Sequence, residues 1–263
     1  MTSDVPQIFD ARLRRRRRDR AAPGFAQFSF LADAVGEELG DRIAATPRPF
    51  ARAVWCGARP ASDVKDIAWL RGDSAERFVP PGGLVFEEER LPFGERVLDL
   101  YVSALTLHAV NDLPGALTQI RRSLKPDSLF LAALFGGQTL HELRACLGKA
   151  EMEIEGGLSP RVSPLVDVRD AGALLQRAGF GQPVADLDAI TVRYEHPLKL
   201  LADLRGMGET NVLTQRRRSF LKRRVLGRAF EIYGETFRGA DGRVPATFEI
   251  VYLTGWSPAK KPT

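Results

Sequence analysis

Short apolar runs bounded by turn residues alternate with one amphipathic stretch between residues 84 and 137. The apolar runs cover residues 84–86, 97–107 and 129–135, and the stretch at 113–124 places its leucines and Ile120 on one helical stripe. Runs of this length typify strands buried on both faces, and the stripe typifies a helix packed on them. Pro114 suits the first turn of that helix. The pattern predicts a parallel βαβ unit.

The rest of the chain continues the alternation. The pattern predicts strands at 51–56, 67–70, 183–192 and 246–255, and helices at 28–45, 138–155, 168–178, 197–205 and about 214–237. In the last helix, Phe220, Val225, Phe230 and Tyr233 form the predicted core stripe. Together these elements predict an α/β fold with a twisted, mostly parallel sheet and flanking helices. Ligands of such sheets bind beyond the carboxyl ends of the strands.

The composition is that of an ordinary soluble protein, with 263 residues, 44% hydrophobic and 27% charged. No apolar run reaches the about 18 to 20 residues of a transmembrane helix, and no apolar segment follows the first charges. Two cysteines form neither a disulfide framework nor a metal cluster. We therefore expect a reducing compartment, with the cytoplasm as the simplest location. The alternative is the mitochondrial matrix, because residues 14–20 weakly resemble a transit peptide, although Asp4, Asp10 and Asp19 oppose it.

Residues 1–27 form a basic N-terminal segment, in a chain of net charge +5. Five arginines are consecutive: Arg14, Arg15, Arg16, Arg17 and Arg18. They cannot all face one side of a helix, so we expect a largely solvated helix, with an anionic surface as the alternative partner. A second patch, residues 216–218 and 222–224, contains one aromatic, Phe220. Nucleic-acid platforms need several exposed aromatics, so the composition argues against nucleic acid.

Several longer motifs follow one another along the chain in a specific order. They occupy residues 8–10, 91–93, 103–114, 124–127, 135–144, 156–164, 177–180, 207–211 and 244–248. In this order they resemble the family of mitochondrial complex I assembly factors that hydroxylate an arginine of a core subunit, together with its bacterial relatives. More distantly the chain is similar to malonyl-acyl-carrier-protein O-methyltransferases. The resemblance implies a class I methyltransferase (Rossmann-like) domain over residues 28–263, with residues 137–238 as a partial helical lid.

The same resemblance implies S-adenosylmethionine (SAM) as cofactor, yet the first cofactor loop departs from the pattern. Aligned on Cys56 and Gly57, Ala53 occupies the acidic position, Trp55 the first glycine and Arg59 the last. Glycine normally lets the backbone approach the ligand there. We expect the indole of Trp55 to fill the volume that the methyl donor needs, and SAM binding to be impaired.

The adenosine half of the site is better preserved. By resemblance, Asp73 holds the ribose, and Glu87 with its neighbour Glu88 lies at the adenine. Gly57, Ser103 and Leu105 complete the cofactor-binding set. Only residues 74–83 separate Asp73 from the next strand, so the crossover helix there is expected to be truncated or absent.

His108 lies at the mouth of the crevice, where it is the candidate general base. A structural histidine is the alternative. His108, His141 and His196 are too far apart in sequence to predict a two-histidine, one-carboxylate metal site.

Three functions remain open at this point. The first is a pseudoenzyme or protein-arginine hydroxylase that acts as an assembly or maturation factor on a respiratory complex I subunit. The second is an active SAM-dependent methyltransferase. The third is a basic module that binds nucleic acid or an anionic membrane.

Overall fold

In the computed structural model, which describes residues 5–57 and 67–259, one seven-stranded sheet has the order β3-β2-β1-β4-β5-β7-β6. The strands are β1 (Ala53–Cys56), β2 (Trp69–Asp73), β3 (Leu84–Val85), β4 (Leu98–Ala104), β5 (Leu124–Phe135), β6 (Gly181–Tyr194) and β7 (Val244–Trp256). The first five are parallel, whereas β7 is antiparallel to β5 and β6 is antiparallel to β7. The predicted mostly parallel α/β sheet is confirmed.

Helices flank this sheet on both faces. They are α1 (Ala11–Ala21), α2 (Phe30–Ala44), α3 (Leu113–Ser123), α4 (His141–Glu155), α5 (Val168–Ala178), α6 (Pro197–Gly206) and α7 (Arg223–Phe237). Local sequence fixes several ends. Asp112 and Asp167 cap α3 and α5 by accepting backbone N–H groups. Gly179 ends α5 in the left-handed region, with φ 87°.

The sheet divides the core into two layers. One face packs against α2, α4, α6 and α7, and the other against α3 and α5. Leu100 and Val102 of β4 face the first layer, and Tyr101 faces the second. Because the central strands are buried on both sides, they are continuous apolar runs rather than alternating ones.

The crossover between β2 and β3 is short, as predicted. Between β2 and β3 the only helical piece is a 3-10 turn, Glu76–Phe78. The β1–β2 connection includes residues 58–66, outside the described residues. Trp55 and Trp69, on these two strands, pack edge to face with ring centroids 5.5 Å apart. Both indoles pack in the core layer that contains α2, where they cover one face of β1 and β2.

The prediction of a helix from about 214 is wrong in its first third, because α7 begins at Arg223. The preceding segment is irregular, and Phe220 is 99% exposed instead of lying on the core stripe. Side chains of this segment instead bind acids elsewhere: Arg216 contacts Asp10 and Arg217 contacts Glu155. Of the helices that the structure describes, none combines the length and apolar character needed to cross a membrane.

Candidate functional site

The crevice lies where β1, β2 and β4 end. It brings together Asp73 at the end of β2 and Ser103 and Leu105 around the end of β4. Helix α1 packs against the 3-10 turn after β2 and supplies side chains to this edge. Its N-terminus is fixed by Asp10, which caps the helix, and by Phe9, which pairs with Leu213. The basic segment is therefore part of the site.

The guanidinium of Arg18, on α1, pairs with the carboxylate of Asp73, which was expected to hold the ribose of the cofactor. Its Nη2 lies 2.6 Å from Asp73 Oδ2, and its Nε lies 3.4 Å from Oδ1. The two side chains are 4% and 1% exposed. Asp73 Oδ1 also accepts the Ala75 N–H. Burial opposes the charge of Arg18, but Asp73 and Glu209 outweigh it and raise the pKa of the guanidinium. The chain thus supplies its own cationic partner for this carboxylate.

Other arginines of α1 also contact the crevice, which corrects the expectation of a largely solvated basic helix. Arg14 is buried and donates to the Thr106 carbonyl at 2.8 Å. Arg15 pairs with Glu87 at 2.5 Å, and Arg17 donates to the Asn211 carbonyl. Residues 14 and 18 are one helical turn apart and face the same side. Only the outer side of the run, including Arg16, remains exposed.

Little free space remains between α1 and the strand ends. A cavity of about 30 Å³ lies there, lined by Arg18, Phe28, Leu105, Phe135 and others. Small-molecule sites typically measure about 300–1,000 Å³. Trp55 is fully buried in the core below α2 and does not line this cavity. That its indole fills the volume which the methyl donor needs stays a prediction; the residual cavity is lined instead by Arg18 and by aromatic side chains such as Phe28 and Phe135.

The structure shows which contacts three other predicted cofactor residues make. Gly57 has φ 120°, and a Cβ there would lie 2.3 Å from the Ala104 carbonyl oxygen, so glycine is needed for contact with β4. Leu105 also has positive φ and lines the small cavity. Ser103 Oγ lies 2.7 Å from Thr106 Oγ1 in the buried floor.

Of the two other residues that alter the first cofactor loop, the structure describes only Ala53. Ala53 is buried among core side chains of the α2 layer. Arg59 lies outside the described residues.

At the opposite side of the crevice, Glu88 is buried and accepts the Tyr101 hydroxyl at 3.1 Å. Burial raises the pKa of Glu88; its Oε1 accepts this hydrogen bond, whereas its Oε2 is buried without a partner among the described residues.

His108 forms a buried pair with Glu209, in the segment after α6. Its Nε2 lies 3.1 Å from Glu209 Oε2, and its ring packs on Phe135 with centroids 4.7 Å apart. Burial lowers the pKa of His108, which favours the neutral imidazole. Burial alone would raise the pKa of Glu209, but His108 and the arginines Arg18 and Arg14 outweigh it and lower that pKa to about 2. We therefore assign the Nε2–H as donor to the Glu209 carboxylate.

This assignment leaves His108 Nδ1 as a buried acceptor without a hydrogen-bond partner among the described residues. A cavity of about 260 Å³ adjoins the ring, between the end of β5, α4, α6 and the segment after α6. Its walls are mainly apolar, and Arg161, Thr210 and Asn211 add polar groups. A neutral imidazole oriented by a carboxylate can accept a hydrogen bond or a proton from a bound group. Within residues 5–57 and 67–259 we find no group of three His, Cys, Asp or Glu side chains arranged to hold a metal ion.

Sequence reasoning did not single out Arg18 or the pairing of His108 with Glu209. The available signal for Arg18 was its spacing of four from Arg14, which places both on one helix face. Glu209 follows Gly208, whose φ of 80° marks a sharp turn after α6. The partners lie far apart along the chain, 101 residues for His108 and Glu209, so no local pattern connects them.

Comparison with known proteins shows which families this chain is similar to. A family described as "Methyltransferase domain" matches residues 66–132. The human mitochondrial arginine-hydroxylase NDUFAF5 is 42% identical over 265 residues, covering 95% of this chain and 76% of that protein. The malonyl-[acyl-carrier protein] O-methyltransferase of Xylella fastidiosa is 33% identical over 183 residues, covering 69% of this chain and 60% of that enzyme.

A solved structure shows the same fold at low sequence identity. It is phosphoethanolamine N-methyltransferase 2 of Haemonchus contortus with phosphomonomethylethanolamine and S-adenosylhomocysteine, which superimposes with a TM-score of 0.54 at 13% identity. The superposition covers 96% of this chain and 61% of that one. The seven-stranded order and the near full-length similarity to NDUFAF5 lead to one conclusion: the chain belongs to the NDUFAF5 arginine-hydroxylase family, built on the class I methyltransferase fold.

Proposed function

We propose that this protein is a maturation factor for respiratory complex I that holds a segment of a subunit in the cavity beside His108 and does not transfer a methyl group. The Arg18–Asp73 pair carries this proposal, because it puts a side chain of the protein where the cofactor ribose would bind. Family membership supports the subunit as partner, since the sequence motifs resemble complex I assembly factors.

SAM does not fit the residues present. Its ribose would have to displace a buried guanidinium from Asp73, and its methionine part would meet a cavity of about 30 Å³. Ala53 offers no carboxylate to the amino group. The adenine side retains Glu87, but Arg15 pairs with it. These features support a pseudoenzyme with respect to methyl transfer.

The larger cavity suits one amphipathic side chain or a short peptide segment. Its volume, about 260 Å³, falls just below that of typical small-molecule sites. His108 Nδ1 can accept an N–H, and the apolar walls can enclose an alkyl stem. NDUFAF5 of human mitochondria is named an arginine-hydroxylase, and an arginine side chain offers both an alkyl stem and N–H donors. We propose that the same residue type enters here.

We place the protein in the bacterial cytoplasm, with the mitochondrial matrix as the alternative. Cys56 and Cys146 are free and buried, which fits a reducing compartment.

Two measurements test the proposal. In calorimetry, SAM should produce no binding heat at micromolar concentrations, whereas micromolar affinity would overturn the pseudoenzyme assignment. In affinity purification from cells that express the tagged full chain, complex I subunits should co-purify.

The cavity is tested with two tryptophan substitutions on α6. Leu201 lines the cavity, whereas Leu198 on the same helix is exposed. Leu201→Trp should abolish recovery of the subunit, and Leu198→Trp should leave it unchanged. Equal recovery with both variants would reject the cavity as the binding site, and no recovery with the unaltered chain would reject the partner.

A further inference from the structure

The wall of the cavity beside His108 contains an arginine that a buried acid holds in place. This residue, Arg161, lies in the loop after α4 and lines the cavity. Its Nε lies 2.8 Å from Glu151 Oε1, and its Nη2 donates to the same oxygen. Glu151 is fully buried on α4, and its Oε2 accepts the Ser159 N–H at 2.8 Å. Because one carboxylate binds both the guanidinium and the loop backbone, the orientation of Arg161 is fixed.

One nitrogen of this guanidinium stays free. Arg161 Nη1 donates to no acceptor in the part of the chain that the structure describes. Since Nε and Nη2 form the edge that faces Glu151, the two N–H groups of Nη1 lie outside that edge. A bound group that excluded water from Nη1 would have to offer it an acceptor, because an unmatched buried donor costs free energy.

The other polar groups of the cavity wall are acceptors. His108 Nδ1 lacks a donor among the described residues, and the Glu209 carboxylate lies beside the same ring. Arg161 pairs with Glu151 and not with Glu209, so its donor and these acceptors stay separate within one cavity. A ligand that satisfied both would combine N–H donors with an acceptor of its own. An amino-acid residue within a peptide has this combination, because its side chain carries the donors and its main chain carries carbonyl oxygens.

The charge of the Glu151–Arg161 pair indicates which acceptor fits. Glu151 already neutralises Arg161, and the carboxylate is buried. A second carboxylate at Nη1 would add a like charge near Glu151, which disfavours ionisation of both. A neutral carbonyl oxygen accepts the N–H without that penalty. The pair therefore suits the main chain of a bound segment better than an acidic side chain.

We propose that Arg161 is a specificity-determining residue, whose Nη1 binds a main-chain carbonyl of the subunit segment that places its side chain beside His108. This inference rests on the proposed function, because it takes the occupant of the cavity to be an arginine within a peptide. It adds that the site recognises the main chain as well as the side chain. A guanidinium compound without a main chain should therefore bind less tightly.

Two small probes with the same guanidinium group test the role of Arg161. N-acetyl-arginine-N′-methylamide carries two main-chain carbonyls, whereas butylguanidine carries none. In nuclear magnetic resonance titrations of the full chain, the first probe should bind about tenfold more tightly, as expected for one hydrogen bond to a charged group. Arg161→Met should reduce this preference to within about twofold and should change butylguanidine binding by less than about twofold. A purely structural role of Arg161 would weaken both probes alike and leave their ratio unchanged.

A second variant guards against loss of the fold. Arg161→Met leaves Glu151 buried without its cation, whereas Glu151→Gln combined with Arg161→Met leaves no unpaired buried charge. The double variant should also lose the preference. Arg169→Met, which removes an exposed arginine from α5 outside the cavity wall, is the matched control and should keep it.

The possible failures are distinguishable. Equal binding of the two probes by the unaltered protein, or a preference that survives in both Arg161 variants, would overturn the role of Arg161 and leave the cavity as the binding site. If neither probe bound the unaltered protein, arginine would be rejected as the occupant of the cavity, and this inference would be rejected with it.

Discussion

Replacing Arg18 by methionine keeps an unbranched side chain but removes the guanidinium that neutralises Asp73. The carboxylate, 1% exposed, would then keep the Ala75 N–H as its hydrogen-bond donor and no adjacent cation from α1. Removing one partner of a buried ion pair typically costs about 3–5 kcal/mol, because the other charge stays desolvated. The Arg18 contacts with the Phe78 ring and Glu209 would be lost as well. We expect Arg18→Met to lower the free energy of unfolding by about 3–5 kcal/mol at neutral pH.

Urea denaturation, followed by the fluorescence of the buried Trp55 and half-buried Trp69, measures this change. The Asp73→Asn variant and the double variant complete a double-mutant cycle. Because the amide introduced by Asp73→Asn is neutral, the double variant leaves no unpaired buried charge. It should be more stable than the sum of the single effects predicts, by at least ~2 kcal/mol. Arg16→Met, exposed on the same helix, is the control and should change stability by less than about 0.5 kcal/mol. A cost below ~1 kcal/mol for Arg18→Met, or an additive cycle, would refute the buried pair as a structural lock.

Two further predictions concern the same edge of the sheet. The pKa of Glu209 is about 2, below the ordinary 4.5. The ionised carboxylate therefore stabilises the fold fully above pH 4.5, and this stabilisation is lost as the pH falls towards 2. After allowance for the partial exposure of Glu209, the stabilisation is about 2 kcal/mol. Stability profiles against pH should show this loss in the unaltered protein and a flatter acid limb in Glu209→Gln. Gly57→Ala should destabilise by at least ~2 kcal/mol, because its Cβ would meet the Ala104 carbonyl oxygen at positive φ. Gly227→Ala, in open space on α7, should stabilise by up to about 1 kcal/mol in the same urea assay; equal midpoints for the two alanine variants would contradict the packing argument.

The elements that the sequence predicted well are those with local signals. Helix α5 begins and ends where predicted, because Asp167 caps it and Gly179 stops it. The central strands were recognisable because burial on both faces leaves an uninterrupted apolar run. The short β2–β3 crossover followed from chain length alone. These features depend on neighbours within a few residues, which is the range that a single sequence reports.

The errors arose where distant contacts outweighed local pattern. Phe220 continues an apolar helical stripe, yet Glu155, 65 residues earlier in the numbering, binds Lys222 and Arg217 and holds the segment out of helix. The run of arginines suggested solvation, yet Asp73, 55 residues away, makes burial of Arg18 favourable. The sequence shows that Trp55 stands at a glycine position, but the packing of its ring against Trp69 and the α2 layer depends on tertiary contacts that no local pattern reports.

Arg18 connects Asp73, the predicted ribose position, to Glu209 in the segment after α6. It contacts Asp73 on the sheet and Glu209 after α6, and Glu209 in turn holds His108. A nucleoside that bound Asp73 would have to displace Arg18, and this would weaken the contact between α1 and Glu209. If displacement costs the same about 3–5 kcal/mol as loss of the pair, it lowers apparent affinity by about 10²–10³-fold or more. A cofactor of intrinsic micromolar affinity would then bind only near millimolar concentrations. The cavity beside His108 exists with Arg18 bound to Asp73, so a group that entered it would leave the Arg18–Asp73 pair intact.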